Sequence, residues 1–377
     1  MEEFHFDGLR LDATQQVFDE SRPHLFAEIT RVARDASGGR TLCIVGENEP
    51  QHAQLARARR TGGFGLDALW NDDFHHAAMV AATGRAEAYY SGYRGTAQEF
   101  VSCAKHGFLY QGQWFQWQKN RRGRPSFDLA RDQYVVFLQN HDQIANSIRG
   151  ERFHQLTSPG RFRALTGLLL LMPSVPLIFQ GQEFGASSPF LFFADHRSEL
   201  AKQVRAGRTT FLKQFSTLAC EESTRELPDP GAEETFRRCK LDFGERSKNR
   251  RYYQLHEELL RLRRDDATIR HAVRVDGAVL NEHAFVLRYF SVEADDRILL
   301  VNLGSDFRFN PAPEPLLAPV ENGGWRVIWS SESPTYGGAG TPPLETTAGW
   351  MIPGQAAVLM KPDENCKLPP AKLSEKD

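Results

Sequence analysis

Over the first two thirds of the chain, short apolar runs alternate with stretches whose apolar residues recur at helical spacing. Runs at 4–12, 41–46, 66–70, 134–139 and 175–179 read as strands. Those at 41–46, 134–139 and 175–179 are nearly unbroken, the pattern of strands covered on both faces of a parallel sheet. Helical spacing appears at about 21–35, 73–82, 96–106 and 160–171. Strands alternating with helices predict a barrel or a doubly wound sheet. Residues 186–245 hold no sustained period, are rich in Phe, Arg and Ser, and read as a long loop insertion. Tyr253, Leu255, Leu259, Leu260 and Leu262 give 248–264 the stripe of an amphipathic helix. Beyond about residue 270 the pattern shortens to β segments at 284–290, 297–303, 325–330 and 356–360, divided by Gly, Pro, Asn and Asp. The predicted layout is an α/β region over 1–268, a β-sandwich over 269–363 and a flexible polar tail over 364–377.

Polar residues able to do chemistry stand directly after four of the predicted strands. They are Arg10 and Asp12, Glu47-Asn48-Glu49, Asn71-Asp72-Asp73, and Asn140-His141-Asp142. A (β/α)8 barrel assembles its active site from the C-terminal ends of many strands. A doubly wound nucleotide fold would place a Gly-rich turn after its first strand, and this sequence has none. The barrel is therefore the expected architecture.

Composition narrows the functional classes. Hydrophobic residues at 41% and charged residues at 25% are those of an ordinary globular protein. A net charge of -2 gives no sign of nucleic acid or an acidic partner as a main ligand. The longest apolar stretch, 168–179, is broken by Pro173 and Pro176 and is too short to span a bilayer. Cys43, Cys103, Cys220, Cys239 and Cys366 are odd in number and widely spaced, which fits a reducing, cytoplasmic setting better than a disulfide framework.

Arg10 and Asp12 lie two apart, so they project from one side of a strand. A guanidinium beside a carboxylate keeps it ionised and oriented. That suits a carboxylate nucleophile as well as a structural ion pair. Glu47 could equally cap a helix, and His141-Asp142 could be a cap with a surface histidine. Asp72, Asp73, His75 and His76 raise metal ligation, but adjacent histidines do not share one helix face. Taken together, Asp12, Glu47 and Asp142 follow three different strands and can converge on one barrel rim. Two close carboxylates are the minimum for glycoside hydrolysis, and a third raises the acid's pKa.

These segments resemble signatures of the alpha-amylase clan of glycoside hydrolases. Asp7-Gly8-Leu9-Arg10-Leu11-Asp12 resembles that clan's strand-4 motif, Val45-Gly46-Glu47-Asn48 its strand-5 motif, and Asn140-His141-Asp142-Gln143 its strand-7 motif. Within the clan, Trp70-Asn71-Asp72-Asp73-Phe74-His75-His76 with Tyr89-Tyr90, Phe179-Gln180-Gly181-Gln182-Glu183-Phe184 and Trp329-Ser330-Ser331-Glu332 are similar to the malto-oligosyltrehalose trehalohydrolase family.

The resemblance implies hydrolysis of the α-1,4 bond that joins trehalose to a malto-oligosaccharide, with retention of configuration and without a cofactor. Asp12 would be the nucleophile, Glu47 the general acid/base, and Asp142 with His141 the transition-state stabilisers. Arg10, Trp70, Asp72, Asp73, His76 and Asn140 would contact substrate, and Trp70, Tyr89 and Tyr90 would offer flat faces to sugar rings. The alternatives are another clan hydrolase or transglycosylase, or a fragment that binds α-glucan without turnover.

Three departures stand out. Gly46 replaces an expected alanine, Ala145 a glycine and Ser147 an arginine. In addition, a strand-4 motif near residue 1 implies that strands 1–3 have no counterpart. A whole barrel takes roughly 250 residues, so on the order of 90 are missing by this reading. The expected architecture is thus the C-terminal five strands of a (β/α)8 barrel followed by a small all-β domain.

Overall fold

The computed structural model describes residues 1–218, 227–292, 294–319 and 323–366. Cys220 and the expected tail from residue 367 lie outside the described residues.

Five parallel strands form one sheet in chain order: β1 (Gly8–Leu11), β2 (Cys43–Gly46), β3 (Ala68–Trp70), β6 (Tyr134–Phe137) and β7 (Val175–Leu177). Between them run α1 (Leu25–Asp35), α2 (Asp72–Thr83), α3 (Ala97–His106), α4 (His141–Ala145) and α5 (Pro159–Leu171), with a small hairpin of β4 (Trp114–Phe115) and β5 (Asn120–Arg121) inserted before β6. Local chemistry sets these boundaries. Asn71 caps α2 through its side-chain oxygen, Asp72 and Asp73 fill the first turn, and Gly84 ends the helix in the left-handed region. Ser158 caps α5, whose first residue is Pro159. From Phe162 to Leu171 every residue of α5 is buried, as for a helix with protein on all sides.

The sheet is unevenly covered. All four residues of β6 are buried, which bears out the continuous apolar run. The outer strands β1 and β7 are half-exposed, and each pairs with one neighbour among the described residues. The strand expected over 4–12 is shortened to 8–11. Phe4 and Phe6 are 68% and 56% exposed and stack on each other rather than entering a core. Gly8 is required where β1 meets β2, because a Cβ there would lie 2.0 Å from the Cys43 carbonyl oxygen.

The 186–245 segment is not wholly a loop. It contains α6 (Ser198–Leu212) and the shorter helix Glu233–Arg238. Helix α6 buries only Leu212, so its sequence has few apolar positions to carry a helical period. The amphipathic helix expected at 248–264 is Arg250–Asp265, with Leu255 and Leu259 buried.

The C-terminal strands build two antiparallel sheets. One has β8 (Arg274–Val279), β9 (Ala284–Phe290), β10 (Arg297–Asn302), β12 (Gly324–Ser330) and β15 (Ala356–Asp363), in the order β12-β15-β10-β9-β8. The other has β11 (Phe307–Phe309), β13 (Glu345–Thr346) and β14 (Gly349–Ile352). Val286, Leu300, Trp325, Trp350 and Ile352 form the core between them. The outer face of the larger sheet continues the α/β core. Phe285 stacks on Phe100 of α3, Tyr289 Oη donates to the Leu171 carbonyl at 3.0 Å, and Gly167 packs against Trp329. One hydrophobic core therefore crosses the boundary expected at 268/269. Among the described residues no helix is long and apolar enough to cross a membrane.

Candidate active site

Parallel register delivers the candidate residues to one end of the sheet. Leu11 pairs with Gly46, so Asp12 and Glu47 each lie one residue beyond that pair. The Trp70–Val135 pairing brings β3 and β6 level, with Asp72 and His141 following at the same end. Gly46, in place of alanine, leaves space filled by Leu66, whose Cδ2 would be 2.7 Å from an added Cβ.

Arg10 organises the open side of the site. Its Nη1 donates to Asp12 Oδ1, and its Nη2 donates to Glu47 Oε2 at 2.6 Å. The guanidinium lies over the Trp70 ring, 4.4 Å from its centroid. One face of Trp70 is thus occupied by a cation, and its edge meets His141. Glu47 is held from several directions. The Ala13 N–H donates to Oε2 at 3.1 Å, and the Glu47 carbonyl accepts from Thr14 N at 3.0 Å and Thr14 Oγ1 at 2.7 Å. Ala13 adopts a φ of 41° to aim its amide there, a left-handed conformation that costs a non-glycine residue about 1–2 kcal/mol.

The Asp12 and Glu47 carboxyl groups also hydrogen-bond to each other, and their environments drive them apart. The hydrogen bond with Glu47 pulls Asp12 below the ordinary carboxylate range, and Arg10 and His141 add to the pull. Burial pushes Glu47 up, and contact with Asp12 adds to this against the Ala13 amide and Arg10. Side-chain exposure follows the same division, 74% for Asp12 and 24% for Glu47.

Asp142 lies in the first turn of α4, with Oδ1 accepting from Asn146 Nδ2 at 3.1 Å. With Arg10, Asp12, Glu47 and His141 it lines a cleft of about 530 Å³, walled on one side by Phe190–Phe193. Half-buried Asp72 sits close behind. Burial pushes its carboxyl up to about 7, and Glu47, Asp73 and Asp142 add to this against Arg122.

Three expected substrate contacts lie elsewhere. Asp73 is fully buried. Its Oδ1 accepts from Tyr93 Oη at 2.6 Å, and its Oδ2 accepts from Leu109 N at 2.7 Å and Tyr110 N at 3.3 Å. His76 is buried among Tyr89, Tyr90 and Tyr93, and desolvation drives its pKa well down. Asn140 is buried and caps α4, accepting from Gln143 N at 2.8 Å. Each is turned inward because backbone amides or aromatic rings claim its side chain. Tyr90 is likewise buried, while Tyr89 donates to Gln143 Oε1 at 3.2 Å.

The structure also adds residues. Arg122 from the β4–β5 hairpin is 2% exposed, with its Nε 3.6 Å from Asp73 and its Nη1 3.4 Å from Glu49. No local pattern marks it out in the Arg-rich stretch 121–124. Gln143, within a quoted motif, was legible in position but not in role.

Residues 274–350 match a family model described as a domain of unknown function, DUF3459. The chain is 38% identical over 313 residues to the malto-oligosyltrehalose trehalohydrolase of Deinococcus radiodurans, covering 82% of this chain and 50% of that protein. It is 32% identical over 276 residues to the protein of the same name from Mycobacterium tuberculosis, covering 71% and 47%. An alpha-amylase candidate from Salmonella typhimurium superposes with a TM-score of 0.76 at 27% identity, over 96% of this chain and 58% of that one. The alpha-amylase from H. orenii shares the fold at a TM-score of 0.56 and 14% identity, over 95% of this chain and 61% of that one. The chain spans about half the length of the curated relatives it matches. Over that span it is similar to malto-oligosyltrehalose trehalohydrolases and shares the fold of alpha-amylase-like structures.

Proposed function

We propose that this chain supplies the catalytic rim of a cytoplasmic glycoside hydrolase that releases trehalose from malto-oligosyltrehalose by cleaving an α-1,4 bond with retention. In this reading the five parallel strands are strands 4–8 of a (β/α)8 barrel, and the β domain is its C-terminal companion. Contact between Asp12 and Glu47, with oppositely displaced pKa values, carries the proposal. Retaining enzymes need two close carboxyl groups, about 5–5.5 Å apart, whereas inverting enzymes leave room for a water. Lowered Asp12 is ionised and suited to attack the anomeric carbon. Raised Glu47 retains its proton for the leaving oxygen and then takes one from water.

Arg10, steadied on Trp70, fixes both carboxyls. Asp142 and His141 face the same cleft and can bind sugar hydroxyls more tightly as oxocarbenium character develops. In this reading half-buried Asp72 would receive a further hydroxyl.

Incubation with maltotriosyltrehalose and separation of the products tests this. Trehalose release that is lost in Glu47→Gln and Asp12→Asn supports the assignment, and full release in either variant sinks it. The exposure of Asp12 favours one second reading, an α-glucan-binding rim without turnover. That reading predicts glucan binding by calorimetry with no trehalose formed.

A further inference from the structure

Arg208 projects from α6 onto the far end of α4. Its Nη1 donates to Asn146 Oδ1 at 3.0 Å, and its Nη2 donates to the Ala145 carbonyl and reaches the Ser147 carbonyl at 3.4 Å. Its guanidinium lies 4.5 Å from the centroid of Phe192, a wall residue of the cleft. The Asn146 Nδ2 donates onward to Asp142 Oδ1 at 3.1 Å. A guanidinium can only donate, so it accepts one orientation of the Asn146 amide, with oxygen toward Arg208 and NH2 toward Asp142. A flipped amide would set donor against donor and oxygen against carboxylate. Arg208 also satisfies carbonyls that α4 leaves open at its C-terminal end.

We propose that Arg208 is a positioning residue for Asp142: through Asn146 and the end of α4 it fixes the carboxylate that faces the cleft, and through Phe192 it fixes the wall opposite. Helix α6 thereby belongs to the active site although none of its residues lines the cleft. This inference rests on the reading of Asp142 as a transition-state-stabilising group.

Kinetics of Arg208→Met, Arg208→Lys, Asn146→Ala and the Arg208→Met/Asn146→Ala pair on maltotriosyltrehalose test it, with melting curves to confirm folding. Loss of a charge-assisted contact felt in the transition state should lower kcat about tenfold or more and move KM about twofold or less. Arg208→Lys should recover part of kcat, since an ammonium serves fewer of the three oxygens. The double variant should be no slower than the slower single, because both act through one link. Unchanged kcat in Arg208→Met, or full additivity in the pair, overturns the inference while leaving the function standing if Glu47→Gln is inactive. Should the parent chain release no trehalose, the functional reading fails by itself, and hydrogen exchange at residues 142–149 decides the role of Arg208. Exchange at least about tenfold faster in Arg208→Met supports the role, and unchanged protection rejects it.

Discussion

Two groups of acids and arginines lie side by side at the end of the sheet, built from the same residue types. In one, Arg10 spans Asp12 and Glu47 at the cleft. In the other, buried Arg122 stands between buried Asp73 and half-exposed Glu49. They differ in who claims the carboxylate oxygens. Two backbone amides and a tyrosine hydroxyl saturate Asp73, which leaves nothing for a ligand. Asp12 has the arginine and the neighbouring carboxyl, and its side chain is 74% exposed. The lesson is that an acid–arginine pair stays open to a ligand when its remaining partners are left free, and becomes a support when the fold fills them.

The largest effect that would sharpen this contrast falls on the buried group. Arg122→Met strands the Asp73 charge inside the protein, and removing one partner of a buried pair costs about 3–5 kcal/mol. Chemical denaturation should show that loss, and a midpoint close to the parent would mean that Asp73 needs no cation. On the open group the same kind of change should spare stability and abolish chemistry. Glu47→Gln should lower turnover by about 10²–10⁴ while the melting temperature holds. A large drop in melting temperature would erase the distinction between the groups.

A weaker probe is Trp70→Leu, which removes the ring beneath Arg10. Cation–π contacts are worth about 0.5–2 kcal/mol, so turnover should fall by about threefold to thirtyfold through a less ordered Arg10. Measured turnover equal to the parent would return Trp70 to simple packing. Turnover should also follow the split between the two carboxyls. It rises as pH climbs through the lowered Asp12 step and falls as pH climbs through the raised Glu47 step. A profile flat across both limbs would show that neither group is essential.

The open group was far more legible in the sequence than the buried one. Arg10, Asp12 and Glu47 follow apolar strands, and parallel pairing converts that linear position into proximity. Asp73 and Asn140 lie three residues past their strands, where a helix begins, and His76 lies six past, within the helix. There the chain turns, and adjacent residues point in different directions; Asp72 stays half-exposed while Asp73 is fully buried. No strand-end rule makes that distinction. Arg122 escaped because its partners are about fifty and seventy residues away in the chain. Helix α6 escaped because it is fastened by polar contacts from Arg208 more than by an apolar stripe. The β domain was legible strand by strand, but its shared core with α3 and α5 depends on which sheet face turns inward, and alternation alone does not say what will cover that face.

Asp72 lies between the two groups, and the smallest predicted effect concerns it. Burial raises its carboxyl to about 7 from a reference of 3.8. A raised acid favours folding most below its unfolded value, where it is neutral in both states. That contribution is lost as pH rises through the folded value. Asp72→Asn keeps the shape and removes the charge, so it should match the parent near pH 3, below the reference value, and exceed it near pH 8. Because Asp72 is partly solvated and a charge in the first turn of α2 is favourable, the gain should be modest, about 1–2 °C in melting temperature. A difference of the same size at both pH values would place Asp72 with the open acids. A gain confined to the alkaline side would show that desolvation from the buried group reaches to the edge of the cleft.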